Sequence, residues 1–342
     1  MTMKTHPRRL GVLSAVTAAL LAAGGAVGGA GALTSAGAAE VSGPRAAPQA
    51  QTEKMPGAPY LYLGWGDPQD ATSVMSETGV SAFTMAFLLS SGGCTPAWDG
   101  QRPLTGGVDE QTIDAIQGAG GQVQISFGGW SGNKLGPSCS SPEEFAGAVQ
   151  QVIDAHGPDV VDFDIENTDE LEDYEVQDRI LRGIAIVKEN NPGVQTVVTI
   201  PTSISGPAGA GARLIDRAAE LGTPIDNYTI MTFDFGGSDM VADSISAAEG
   251  LKERLKAANG WSDAEAYAHS GISGMNGISD VGETTTPEQW TEIRDWAGAQ
   301  GLTRFAYWAV NRDRPCPGGG VVANCSGIAQ DDLAFTRITA GF

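Results

Sequence analysis

Residues 159–166 read Asp-Val-Val-Asp-Phe-Asp-Ile-Glu. From Val161 the run alternates strictly between apolar and acidic. Side chains of an extended chain point to opposite faces in turn, so Asp162, Asp164 and Glu166 share one face, roughly 6.5–7 Å apart along the strand. Val161, Phe163 and Ile165 share the other and can pack beneath helices. A solvated edge strand would have no use for that apolar face. Three inward carboxylates are unfavourable unless they share protons or bind something. Like charges this close push at least one pKa upward, and the three should titrate as a coupled unit. Glu166 comes last, at the strand's C-terminal end, and is the natural proton donor. Asp164 is its neighbour, and Asp162 can share a proton with Asp164.

Outward from this strand the chain alternates between apolar runs and helical patterns. Strands are expected at Tyr60–Trp65, Ala82–Leu89, Gln122–Phe127, Val160–Glu166, Thr196–Ile200, Tyr228–Phe235, Ala266–Ile272 and Thr303–Val310. Ser141-Pro142-Glu143-Glu144 is a capping box with proline at the first helical position. Behind it Phe145, Val149, Val152 and Ile153 fall on one helical face. Ile180, Ile184 and Val187 make a similar stripe. Eight strands with intervening helices predict an α/β fold, a single (β/α)8 TIM barrel over residues 59–342. A doubly wound sheet is the alternative. Neither GxGxxG after the first strand nor GxxxxGK[ST] occurs, so nucleotide binding has no support. The interval between the seventh and eighth strands holds one loop and one helix, Pro287–Ala299, and no inserted domain. Glu166 then lies at the C-terminal face, where barrel active sites open.

The run Asp159…Asp162…Asp164…Glu166 resembles the DxxDxDxE signature of glycoside hydrolase family 18, the chitinases and endo-β-N-acetylglucosaminidases. Val160 stands where the family usually has Gly. Ser126-Phe127-Gly128-Gly129 is similar to the family's SxGG on strand three. Met231-Thr232-Phe233-Asp234 is similar to its M-x-Y-D on strand six, with Phe233 in place of Tyr. Trp308 corresponds to its strand-eight Trp. The motifs keep their order and spacing over roughly residues 59–342, and the domain looks like a compact bacterial secreted chitinase.

The resemblance implies substrate-assisted hydrolysis with retention, and no metal or organic cofactor. Glu166 is the implied proton donor, with Asp164 orienting the substrate's acetamido group and Asp162 beside it. Trp308, Asp234, Met231 and Phe233 are the implied substrate-binding set. Asp159, Ser126, Gly128 and Gly129 belong to the structural motifs. Phe233 cannot donate the hydrogen bond that the family's Tyr supplies, and Tyr228 or Tyr307 is expected to serve instead. Trp65, Trp98 and Trp130 lie at strand ends, where sugar faces can stack. Trp290 and Trp296 are expected in the core. The expected ligand is chitin or a chito-oligosaccharide. The alternatives are an endo-β-N-acetylglucosaminidase on N-glycans and a non-catalytic sugar-binding barrel.

The composition agrees with these expectations. The 342 residues carry 20 Lys+Arg against 41 Asp+Glu, a net charge of −21. That balance argues against a nucleic-acid partner, which needs a basic footprint. Lys4, Arg8 and Arg9 precede an Ala/Gly/Leu-rich stretch and the small-residue site Ala36-Gly37-Ala38, so residues 1–38 read as a signal peptide and the product as extracellular. Residues 39–58 read as a disordered leader. No later run is long enough to span a membrane. Cys94, Cys139, Cys316 and Cys325 suit two disulfides in an exported protein. Cys316 and Cys325 bracket a Gly-rich loop and are expected to pair, leaving Cys94 with Cys139. No oligomer is signalled, and a monomer is the default.

Overall fold

The computed structural model describes residues 53–342. The expected signal peptide and most of the expected leader lie outside the described residues. Eight parallel strands form the barrel: β1 (Tyr60–Tyr62), β2 (Ala82–Ser90), β3 (Gln122–Gly128), β4 (Val160–Asp164), β5 (Gln195–Pro201), β6 (Asn227–Met231), β7 (Ser270–Met275) and β8 (Arg304–Trp308). Each pairs with its sequence neighbour from β1 to β8. Residues before β1 close the ring: Met55 N–H donates to Thr303 O at 2.9 Å and Ala58 N–H to Phe305 O at 3.0 Å. The stretch 53–58, read as leader, is therefore part of the fold up to Met55, whose side chain is buried.

Helices cover the outside, each started by local chemistry. Asp70, Ser141, Asp173, Asp239 and Thr286 cap helices with their side chains, satisfying backbone N–H groups that have no partner within the helix. The outward strand residues, among them Val161, Phe163, Ile200, Ile230 and Phe305, join helix faces in one continuous apolar core. Trp290 is buried there, stacked on Phe305 at 4.2 Å, and Trp296 packs against it partly exposed.

Several strand boundaries differ from expectation. The first strand ends at Tyr62, the fourth at Asp164 and the sixth at Met231, so Glu166 and Asp234 stand on the loops beyond. The seventh strand was expected at Ala266–Ile272. Ser262 and Glu265 instead form a capping box that starts the helix Asp263–Ala268, and the strand begins at Ser270. Between β7 and the helix Pro287–Gln300 lies a two-stranded ribbon, Gly277–Ile278 with Thr284–Thr285. It is an addition to the expected loop and far smaller than a domain. Both disulfides form as expected, Cys94–Cys139 and Cys316–Cys325.

Candidate active site

The barrel interior is polar because alternate residues of the strands turn inward. Asp162 is sealed from solvent near the middle. Its Oδ2 accepts from the Tyr60 hydroxyl and Ser126 Oγ, both at 2.7 Å, and its Oδ1 accepts from Thr199 Oγ1 at 2.6 Å. Arg304 Nη2 lies 3.5 Å from Oδ2, close enough for an ion pair although it makes no hydrogen bond there. Arg304 is held by Gln124 Oε1, Thr199 Oγ1 and Thr229 Oγ1. Every contact to Asp162 is a donor, which suits a carboxylate.

Asp164 differs. It is buried, and its Oδ1 has no hydrogen-bond partner. Burial, followed by the charges of Glu166 and Asp162, raises its pKa well above the carboxylate range, against the pull of Arg304. No hydrogen bond joins Asp162 to Asp164 among the described residues; Asp162 takes its donors from Tyr60, Ser126 and Thr199 instead. Glu166 is partly exposed at the rim. Burial raises its pKa to about 7; Lys134 opposes this, while Asp234, Asp280 and Asp162 add to it. The column thus holds a donor-bound acid, a buried acid whose pKa is raised and an acid poised to lose its proton near neutral pH.

The flanking glycines are required by close approach. Gly128 has φ 109°, and a methyl there would lie 2.2 Å from Asp164 O. Gly129 has φ 81°, and a methyl there would lie 2.7 Å from the Phe87 ring. Asp159 stays at the other end of the strand, where it accepts from Val123 N–H at 3.2 Å. Its role is to start the strand.

Trp308, inward on β8, meets Phe87 in a stacked pair at 5.6 Å, with Tyr60, Tyr62 and Trp65 within 5.9–6.0 Å. Trp65 is 47% exposed and Trp130 is 69% exposed, so both offer faces to a ligand. Trp98 does not: it is fully buried beside His156. Tyr228 and Tyr307 are also withdrawn. Both point outward into the core, and the Tyr307 hydroxyl contacts Asp313 and Thr336. Neither can stand in for the hydroxyl missing at Phe233. The hydroxyl that does face the column is Tyr60.

Met231 is buried at the end of β6 and Phe233 is half-buried above it. Asp234 is exposed, and its Oδ1 accepts from Val281 N–H at 3.1 Å on the ribbon. Glu283 completes this link, accepting from the N–H groups of Asp234, Phe235 and Gly237. The ribbon tip is thus tied to the loop after β6, and the charge of its Asp280 acts on Glu166. Arg312 does not pair with Asp313 as a loop salt bridge. It donates to the carbonyls of Asn276 and Ile278, while Asp313 is buried among Tyr307, Thr336 and Gln330.

Sequence reasoning passed over Tyr60, Arg304, Lys134 and Glu170. Arg304 carried a signal, since it alternates with Ala306 and Trp308 on an otherwise apolar strand. Glu170 was hidden in the acidic stretch 169–178, which reads as a solvated helix start.

No family model matches the chain. Over 306 residues it is 25% identical to a probable bifunctional chitinase/lysozyme of Escherichia coli, covering 83% of this chain and 34% of that one. Over 277 residues it is 25% identical to endochitinase 11 of Metarhizium anisopliae, covering 75% and 52%. The chain thus spans about a third and about half of these relatives. Among solved structures it is similar to active domain 2 of the Pyrococcus furiosus chitinase, with TM-score 0.77, 27% identity and coverage of 85% and 96%. A form of that domain complexed with chito-oligosaccharides matches equally well, with coverage of 86% and 97%. The described residues form a (β/α)8 barrel of the type found in chitinase catalytic domains, with the acids of β4 at and below its C-terminal rim.

Proposed function

We propose that the protein is a secreted, endo-acting chitinase that cleaves β-1,4-N-acetylglucosamine linkages with retention. The observation that carries this reading is the acid column: Asp162 bound by donors, Asp164 buried with its Oδ1 unpartnered and Glu166 partly exposed at the rim, beside the Trp308 floor. The two chitinase relatives and the Pyrococcus domains support the substrate class.

Glu166 gives its proton to the glycosidic oxygen as the bond to the anomeric carbon breaks. The substrate's 2-acetamido oxygen attacks that carbon from the other face. Asp164 accepts a hydrogen bond from the acetamido N–H, which orients that group and stabilises the N–H of the oxazolinium ion as its positive charge develops. Glu166, now a carboxylate, takes a proton from water as the water opens that ring. Phe233 leaves the acetamido oxygen without a hydroxyl donor from β6. A missing charge-assisted bond is worth about 1.5–3 kcal/mol, or roughly one to two decades in rate, which slows the enzyme without abolishing turnover. No inserted domain, only the short ribbon Gly277–Ile278 with Thr284–Thr285, lies between β7 and the following helix, which favours internal cleavage. The two disulfides suit an oxidising, extracellular setting.

The test compares wild type with Glu166→Gln on chitotetraose, following products by mass and anomers by NMR. Wild type should release the β-anomer first, and Glu166→Gln should lose about 10²–10⁴ in kcat. Release of the α-anomer first, or unchanged rates in the variant, would overturn the reading. Binding without turnover by wild type would assign a lectin-like barrel.

A further inference from the structure

Trp65 stands on a segment that does not hold itself in place. Among the described residues, the stretch 64–67 makes no backbone–backbone hydrogen bond and belongs to no strand or helix. Yet the Trp65 ring lies 4.8 Å from that of Tyr62 and 6.0 Å from that of Trp308, with about half of the residue open to solvent. A platform beside the Trp308 floor is therefore placed by groups outside its own segment. The donors that its carbonyls find identify those groups.

They come from the chain after β8. Asn311 is buried in the turn Val310–Arg312. Its Nδ2 donates to Tyr62 O at 2.7 Å and to Trp65 O at 2.9 Å, and its Oδ1 accepts from Tyr62 N–H at 3.1 Å. Both amide donors are thereby engaged by the segment that carries Trp65. Arg314 Nη2 donates to Asp67 O at 2.7 Å, and Nη1 reaches Asn324 O at 3.4 Å. The same guanidinium lies 3.6 Å from Asp67 Oδ2, an exposed ion pair that adds little. Contact closes the remaining side. Gly66 has φ 80°, and a methyl there would lie 2.6 Å from Ala323 O. Ala323 and Asn324 belong to the loop that the Cys316–Cys325 disulfide closes, and Arg314 O accepts from Ser326 N–H at 3.0 Å as that loop returns. The chain after β8 thus meets residues 65, 66 and 67 in turn.

We propose that Asn311 and Arg314 are positioning residues for Trp65, and that through them the disulfide-closed loop after β8 sets the affinity for the sugar unit next to the one on Trp308. This rests on the reading of the substrate as a chito-oligosaccharide. The indole offers a flat apolar face to the C–H face of a pyranose ring. Such contacts are short-ranged, and a gap of about 0.5–1 Å forfeits about a quarter to a half of each. Displacing the platform therefore weakens binding and raises KM, while the bond-breaking step is left alone.

The experiment measures chitotetraose binding by calorimetry in a Glu166→Gln background, where the oligosaccharide stays uncleaved. Arg314→Met should raise Kd about tenfold, and Trp65→Ala by at least as much. The two together should cost no more than Trp65→Ala alone, because Arg314 acts through Trp65. With Glu166 restored, Arg314→Met should raise KM on chitotetraose and leave kcat unchanged. An unchanged Kd in folded Arg314→Met, or additive losses in the double variant, would overturn the proposal. Where Arg314→Met does not fold, Gly66→Ala decides, since its methyl drives the segment off Ala323 O. The same loss is expected there, again absent beside Trp65→Ala, and an unchanged Kd would overturn the proposal. Cleavage by wild type with an unmoved Kd in the variants leaves the function reading standing and removes this inference. Binding with the expected coupling but no cleavage by wild type does the reverse.

Discussion

Arg304 Nη2 lies 3.5 Å from Asp162 Oδ2 in the middle of the barrel, with both side chains fully sealed from water. The pair joins the bottom of β8 to the centre of β4 and fixes the lowest member of the acid column. Removing one partner leaves the other buried and uncompensated. Arg304→Met should destabilise the fold by about 3–5 kcal/mol. Arg304→Lys should recover part of this, since an ammonium restores charge without the fork that reaches Gln124, Thr199 and Thr229. Urea unfolding of Arg304→Met, Asp162→Asn and the double variant measures the coupling. Directly contacting groups should couple by more than ~0.5 kcal/mol; additive losses would show that the pair does not act as one.

The column sets a conflict between stability and chemistry. The folded pKa of Asp164 is raised above an unfolded value of about 3.9. Between those values the folded state holds the extra proton, so this group costs stability as pH rises through the window. Asp164→Asn removes that loss. Its Tm should exceed the wild-type value at pH 7–8 and converge with it near pH 3, while kcat falls. Each ~1 kcal/mol relieved reads as roughly 2 °C in a domain of this size. A variant less stable than wild type at pH 8 would mean that Asp164 is held by contacts the column does not account for.

Gly128 tests whether backbone closeness controls the acids. A methyl 2.2 Å from Asp164 O, on a residue with φ 109°, cannot be absorbed without moving β4. Gly128→Ala should lower kcat/KM by about 10²-fold through displacement of the column and cost roughly 1–3 kcal/mol or more. Gly118→Ala is the control, since it meets open space and should leave both unchanged. Equal behaviour of the two variants in a chitotetraose assay would remove the close-approach argument.

The alternation of residues 159–166 was sufficient to put Asp162 and Asp164 on one face of a strand with Glu166 just beyond its end, and the alternation of strands and helices along the chain pointed to the barrel. The reason is local: an extended backbone has a period of two, and only a strand with an apolar back packs beneath helices. The Gly-Gly pair and the cysteine spacing were legible for the same reason, because they constrain chain a few residues away. Sequence could not say which acid is bound by donors and which keeps an unpartnered oxygen. That depends on Tyr60, Ser126, Thr199 and Arg304, drawn from four other strands, whose donors converge on Asp162 and leave Asp164 bare. Nor could it separate Trp65 and Trp130, which face solvent, from Trp98, which does not. Glu170 reaches the backbone at Gly128, far back along the chain, only because β3 and β4 are neighbours. The residue types were written along the chain, but the field each one feels comes from strands closing into a ring, and only the folded barrel decides that.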